Sequence, residues 1–283
     1  MATQLGSRTV TLGARQLSVS DDSGVDWVVT DVKGWGSPGV RAESSQRQSD
    51  HGGWPSKVYL DPRPITIEGS IEAPTEADRD AAVEQLIAAV SLDDTTLTVA
   101  ETTPKQVTVR RSGEPLILLE GPYGATYSVL VTAYDPRRYS TTLQSASTGL
   151  PSTTGGLVLP IVLPITITAT TVSGTITLAN AGSIGTRPTL TITGPLPSFV
   201  IVAARPDGTI TQQTYTDALG AGDVLVIDSA ARTVTLNGSV SRRRYLSGSW
   251  LEIPPNSSVS LSWTSPSYDP SAMLTGSCRS AWM

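Results

Sequence analysis

Ile65-Thr66-Ile67-Glu68-Gly69-Ser70-Ile71-Glu72, running into Ala73-Pro74-Thr75-Glu76-Ala77-Asp78, is the stretch on which the fold turns. Ile65, Ile67 and Ile71 fall on one face, and Thr66, Glu68, Ser70 and Glu72 on the other. That is the period of a half-buried strand. A helix is expected directly after it, from Thr75 to Ser91. Pro74 marks the boundary, and Thr75 with Asp78 three residues on resembles a capping box. Val83, Leu86, Ile87 and Val90 recur at helical spacing as an apolar stripe, leaving Asp78, Arg79 and Glu84 for water.

Strands resume C-terminal to the helix. Thr95–Val99 is one, Gln106–Arg110 is another, and Ala125–Tyr134 puts Tyr127, Val129, Val131 and Ala133 on one face before Asp135-Pro136 ends it. N-terminal to the deciding strand, residues 34–57 show no periodicity. A loop of about two dozen residues inside a compact domain binds something or is ordered by a neighbour. Its candidates for a contact between subunits are Trp35, Arg41, Arg47 and Trp54, tryptophan being favoured as an interface anchor. The alternative is that both tryptophans pack back on their own domain.

Residues 139–156 are rich in Ser, Thr and Gly and read as a linker. Beyond them short alternating runs recur at Ile165–Thr168, Thr175–Leu178, Thr189–Thr193, Phe199–Ala203, Val224–Ile227, Thr233–Leu236, Trp250–Ile253 and Val259–Trp263. This spacing predicts a sandwich or jelly roll. The expected organisation is therefore two domains, 1–145 and 146–283. The expected fold class is all-β with one short helix.

Composition narrows the chemistry. Of 283 residues, one is Cys (Cys278) and one is His (His51), which removes disulfide frameworks, zinc fingers and multi-histidine metal sites. A Ser-His-Asp or Cys-His arrangement would have to use His51, and there is no Gly-x-Ser-x-Gly elbow. Asp207, Asp217, Asp223 and Asp269 read as turn residues, and Asp228 as the end of an apolar run. Asp21-Asp22 and Asp93-Asp94 lack calcium-ligand spacing. No enzyme, metal or cofactor is expected. No signal peptide is visible and no apolar run is long enough to span a membrane, so synthesis in a reducing cytoplasm without membrane insertion is expected. The net charge is −5, with 13 Lys/Arg against 19 Asp/Glu in residues 1–140 and 7 against 6 in the remainder. An acidic first half argues against sequence-independent DNA binding. Arg242-Arg243-Arg244, the one basic cluster, reads as a solvated turn.

Several segments together resemble the distal tail proteins of long-tailed, non-contractile bacteriophages, a family also described as minor tail proteins. They are Trp27-Val-Val-Thr-Asp-Val-Lys-Gly-Trp-Gly36, Tyr59-Leu-Asp-Pro-Arg-Pro-Ile-Thr-Ile-Glu-Gly69 and Val129-Leu-Val-Thr-Ala-Tyr-Asp-Pro136 in the first half. In the second they are Gly185-Thr-Arg-Pro-Thr-Leu-Thr-Ile-Thr-Gly194, Asp223-Val-Leu-Val-Ile-Asp228 and Trp250-Leu-Glu-Ile-Pro-Pro-Asn256. The resemblance implies a tail-tube-like N-terminal sandwich or split barrel and a galectin-like C-terminal sandwich. It implies a homo-hexameric ring at the tail tip of the virion, joining the tail tube to the baseplate. The implied partners are the tail tube protein, the tape measure protein, the baseplate hub or tail-associated protein, and host-surface carbohydrate, with DNA only in transit. The competing readings are a carbohydrate-binding sandwich, a plain hub or tube protein and, last, a glycosidase using Glu252. For a sugar site Tyr245 and Tyr268 are the candidates, since Trp250 and Trp263 sit in alternating runs and read as packing residues.

Overall fold

The computed structural model describes residues 8–154 and 170–283. Within them the chain is all-β with one α-helix. It forms two compact units, one running to Thr141 and taking back Trp282–Met283, the other Thr142–Ala281.

In the first unit the deciding strand, Arg63–Glu72, is central and pairs antiparallel on both sides. The sheet runs in the order Arg15–Gln16, Val10–Leu12, Thr95–Val99, Lys105–Arg111, Gly124–Ala133, Arg63–Glu72, Asp26–Lys33, Val19–Ser20. Leu116–Glu120 pairs with the start of Gly124–Ala133, and Lys105–Arg111 with its end. Ile65, Ile67 and Ile71 are fully buried against Tyr127, Val129 and Val131, as the alternation requires. Gly69 is needed at its position because a Cβ there would collide with the Val28 carbonyl and the Tyr127 hydroxyl. Burial in that crossing holds the Tyr127 phenol well above its ordinary pKa.

The helix spans Glu76–Ala89, and the Thr75 hydroxyl accepts from the Asp78 amide at 3.2 Å. Its buried face keeps Leu86, Val90 and, in part, Val83 of the expected stripe but not Ile87, and adds Arg79 and Ala82. Arg79, Ala82, Leu86 and Val90 turn inward, Val83 is half-buried and Ile87 is exposed. Arg79, expected to face water, lays its stem on the sheet and donates from Nη1 to the Gly121 carbonyl at 2.8 Å.

The second unit is a two-sheet sandwich. One sheet runs Gln144–Gly149, Met273–Cys278, Thr189–Thr193, Val224–Asp228, Thr233–Leu236, Val240–Ser241, and the other Thr175–Asn180, Ser257–Thr264, Phe199–Ala204, Ile210–Tyr215, Leu246–Gly248. Trp263, Phe199 and Tyr215 fill the core, with Phe199 stacked on Tyr215 at 5.0 Å and edge-on to Trp263 at 6.5 Å. The Trp263 indole donates to the Gly149 carbonyl at 2.8 Å.

Three expectations need correcting. The linker across residues 139–156 contains the strand Gln144–Gly149, whose Ser147 hydroxyl bonds that of Thr275 at 2.8 Å. Small hydroxylated side chains pair across a sheet as well as they populate a linker. The boundary accordingly falls at 141/142 rather than 145/146. Trp250–Ile253 is not a strand, only Ile253 bridging to Thr186, although Leu251 and Ile253 are buried. The run Ile165–Thr168 lies outside the described residues. No helix among the described residues is long and apolar enough to cross a membrane.

Candidate functional site

The segment that sequence reading left without periodicity is an antiparallel arm. Its base is built from buried charge. Arg63, fully buried, donates from Nη1 to the carbonyls of Gly34 at 3.0 Å and Trp35 at 2.7 Å. From Nε and Nη2 it donates to the Pro136 carbonyl at 2.9 and 2.8 Å. Desolvation, helped by the nearby charge of Arg138, pushes its pKa down to about 10, so it stays charged at neutral pH. Arg63 was missed in the sequence, yet it falls in phase with Ile65 and Ile67 on the core face; a charged residue in phase with buried ones is the signal that finds it.

Trp35 lies at the same base. It is buried, its indole donates to Glu101 Oε1 at 2.7 Å, and the Arg138 guanidinium lies 5.6 Å from its ring centre. Burial alone would raise the Glu101 pKa. Hydrogen bonds from Lys105 and Trp35 and the charges of Lys105 and Arg138 outweigh that and hold it below the ordinary value. Of the two loop tryptophans, Trp35 therefore packs on its own unit.

Beyond the base the arm leaves the core. Val40–Arg41 pairs with Tyr59–Leu60 and Ser44–Gln46 with Gly53–Pro55, while backbone bonds from Asp61 to Gly39 and from Arg47 to Gly52 close the two ends. At about 3.3 Å per residue the arm is on the order of 25–30 Å long. Every residue from Gly39 to Tyr59 is exposed. Trp54, 62% exposed, carries the Arg47 guanidinium 4.5 Å above its ring, and Arg41 lies 4.0 Å from Asp61. His51 is exposed near the tip. Arg41, Arg47 and Trp54 thus share the arm, and Trp35 holds its root.

The first unit also has an apolar edge. Leu116–Glu120 exposes Leu116, Leu118 and Leu119, each nearly 60%, and pairs on one side only. The face of this sheet turned from the core carries Asp26, Glu72 and Glu120 exposed, and Glu68 half-buried with Lys33 as its ion partner.

In the second unit the sugar candidates separate. Tyr268 is 56% exposed. Tyr245 is half-buried, edge-on to Tyr215 at 6.3 Å, and its ring carries two guanidiniums, Arg244 at 4.6 Å and Arg242 at 5.7 Å. Stacking a sugar on that ring would displace its own arginines. Trp263 is core, and Trp250 is half-buried beneath Arg243. Cys278 is buried, and desolvation pushes its thiol up to about 11. At pH 8 its thiolate fraction is roughly two-hundredfold below that of a free cysteine. Alkylation by iodoacetamide should be slower by at least that factor in the native protein than in denaturant; equal rates would overturn the burial.

No protein-family model matches the chain, and no curated protein matches it either. Among solved structures, the crystal structure of the SPP1 Dit (gp 19.1) protein, described as a paradigm of the hub adsorption apparatus in Gram-positive-infecting phages, superposes with a TM-score of 0.64. The match is 12% identical and covers 98% of this chain and 99% of that one. The phage P2 baseplate in its activated conformation matches at TM-scores of 0.48 with Ca and 0.48 with Sr. Those two matches are 9% and 10% identical and each cover 93% of this chain. The chain has the Dit-like fold over nearly its whole length.

Proposed function

We propose that this protein is a structural, non-catalytic component of a phage tail tip. In this reading six copies form a ring that joins the tail tube to the baseplate and receptor-binding apparatus, and DNA passes through its centre. The fold supports the tail-tip role, since the likeness to SPP1 Dit spans both units. The single observation that carries the ring is the arm. A two-stranded ribbon with neither face on a core is marginal in water, so a partner surface must support it. The apolar edge at Leu116–Glu120 points the same way: an open hydrophobic edge is a liability in a monomer, and head-to-tail contacts closed by rotation put such edges to use. Asp26, Glu68, Glu72 and Glu120 would face the channel, where negative charge repels phosphates and lets DNA slide. The tail tube protein, the tape measure protein and the baseplate hub are the neighbours this placement requires, with host-surface carbohydrate as the outward partner.

Light scattering on the purified protein, with negative-stain imaging of the same peak, tests the ring. A mass near six subunits and particles with a central hole are expected. A monomer that stays monomeric after the tail tube protein is added would overturn the reading.

A further inference from the structure

The basic turn read from sequence as merely solvated has an arrangement that calls for a ligand. Arg243–Tyr245 is a single 3-10 turn, capped by Arg242, between the edge strand Val240–Ser241 and Leu246–Gly248. Consecutive residues of such a turn point about 120° apart. Even so, all three guanidiniums are gathered onto two rings: Arg242 and Arg244 over Tyr245, and Arg243 over Trp250 at 4.8 Å. Two like charges share one ring. Among the described residues only Arg242 of the three has a carboxylate, Asp217 at 3.6 Å. Arg243 donates to the Leu246 carbonyl at 2.7 Å and Arg244 to the Tyr245 hydroxyl, both neutral acceptors. Both arginines are exposed.

Each of these guanidiniums, held over a ring and by one hydrogen bond, keeps further N–H groups for an anion and has less freedom to lose when one binds. Arginine donors left in this way are the groups that recognise an oxyanion. We propose that Arg243 and Arg244, carried on Trp250 and Tyr245, bind the anionic groups of a phosphate- or carboxylate-bearing sugar chain. A nucleic acid fits less well. The patch is one turn wide on a unit whose charges nearly balance, and both rings are already covered, so no base can stack on them. The anion site stands on the turn itself; that the sugar chain belongs to a host surface rests on the tail-tip reading.

The test is binding of the full chain to phosphomannan, neutral mannan, sodium phosphate and a short DNA duplex at physiological ionic strength. Phosphomannan is expected to bind and mannan not to. R243Q/R244Q should weaken binding by about tenfold or more, while R205Q/R232Q, which removes equal charge elsewhere on the unit, stays within about twofold. R243K/R244K should recover only part of the loss, because a point charge lacks the fork. All variants should melt as the parent does. The proposal is overturned by absence of binding, by equal loss in both glutamine pairs, by full activity of the lysine pair, or by free phosphate or DNA binding as tightly as phosphomannan. Rings that do not bind phosphomannan would sink the site and spare the ring; binding by a chain that never forms rings would do the reverse.

Discussion

Excision of Arg41–Tyr59, closed by an Asn-Gly turn between Val40 and Leu60, is expected to leave a folded monomer in place of the six-membered ring we propose for the intact chain. Val40 and Leu60 are already cross-strand partners, so a two-residue turn spans them without moving the base. The excised residues are exposed throughout and contribute nothing to the core, so the melting temperature should hold within about 2 °C. The mass should fall from six subunits to one. The single change Trp54→Ala should act in the same direction by weakening the contact, since buried tryptophans dominate interfaces. Excised protein that still sedimented as six would put the ring contact at the Leu116–Glu120 edge instead.

The second large effect is expected at the arm's root. Arg63→Met fills most of the same volume but strands the carbonyls of Gly34, Trp35 and Pro136, all satisfied by one guanidinium. Losing several charge-assisted bonds in a buried setting is worth roughly 3–5 kcal/mol. That is a large share of a unit's stability, usually about 5–15 kcal/mol. For a unit of this size the melting transition should fall by on the order of 10 °C. Hydrogen exchange should locate the loss in the strands of the first unit and leave the sandwich protected. A methionine variant that melted within about 2 °C of the parent would show the carbonyls find other partners, and the brace would be dispensable.

The two tryptophans of the arm segment show what the sequence could carry and what it could not. Trp35 and Trp54 are alike as letters in an aperiodic stretch, and the difference lies in Glu101 and Arg138, far along the chain, which reach only Trp35. The core strands were legible because one face is buried, and burial imposes the two-residue period seen at Ile65, Ile67 and Ile71. The arm has no buried face, so nothing imposes a period on it. Gln144–Gly149 hid for another reason: its inward Thr148 is itself polar and small, so the alternation carries no hydrophobic contrast. The helix was found from its cap and its phase from Leu86 and Val90, but the inward place of Arg79 was not, because it buries a long stem that a hydropathy pattern counts as water-facing. For the second unit, the three arginines and Tyr245 stand side by side in the sequence, whereas which guanidinium lies over which ring, Arg243 over Trp250 and Arg242 and Arg244 over Tyr245, is set by the turn.

Trp282 and Met283 belong to the first unit, where Arg138 donates to the Met283 carbonyl and Lys105 lies 5.3 Å from the Trp282 ring centre. On the ribosome, then, the opening half of the chain emerges long before it can be finished. It must wait while all of Thr142–Ala281 is translated, on the order of ten seconds at ordinary elongation rates. Throughout that interval the strand Arg138–Ser140 lacks one of its two strand partners.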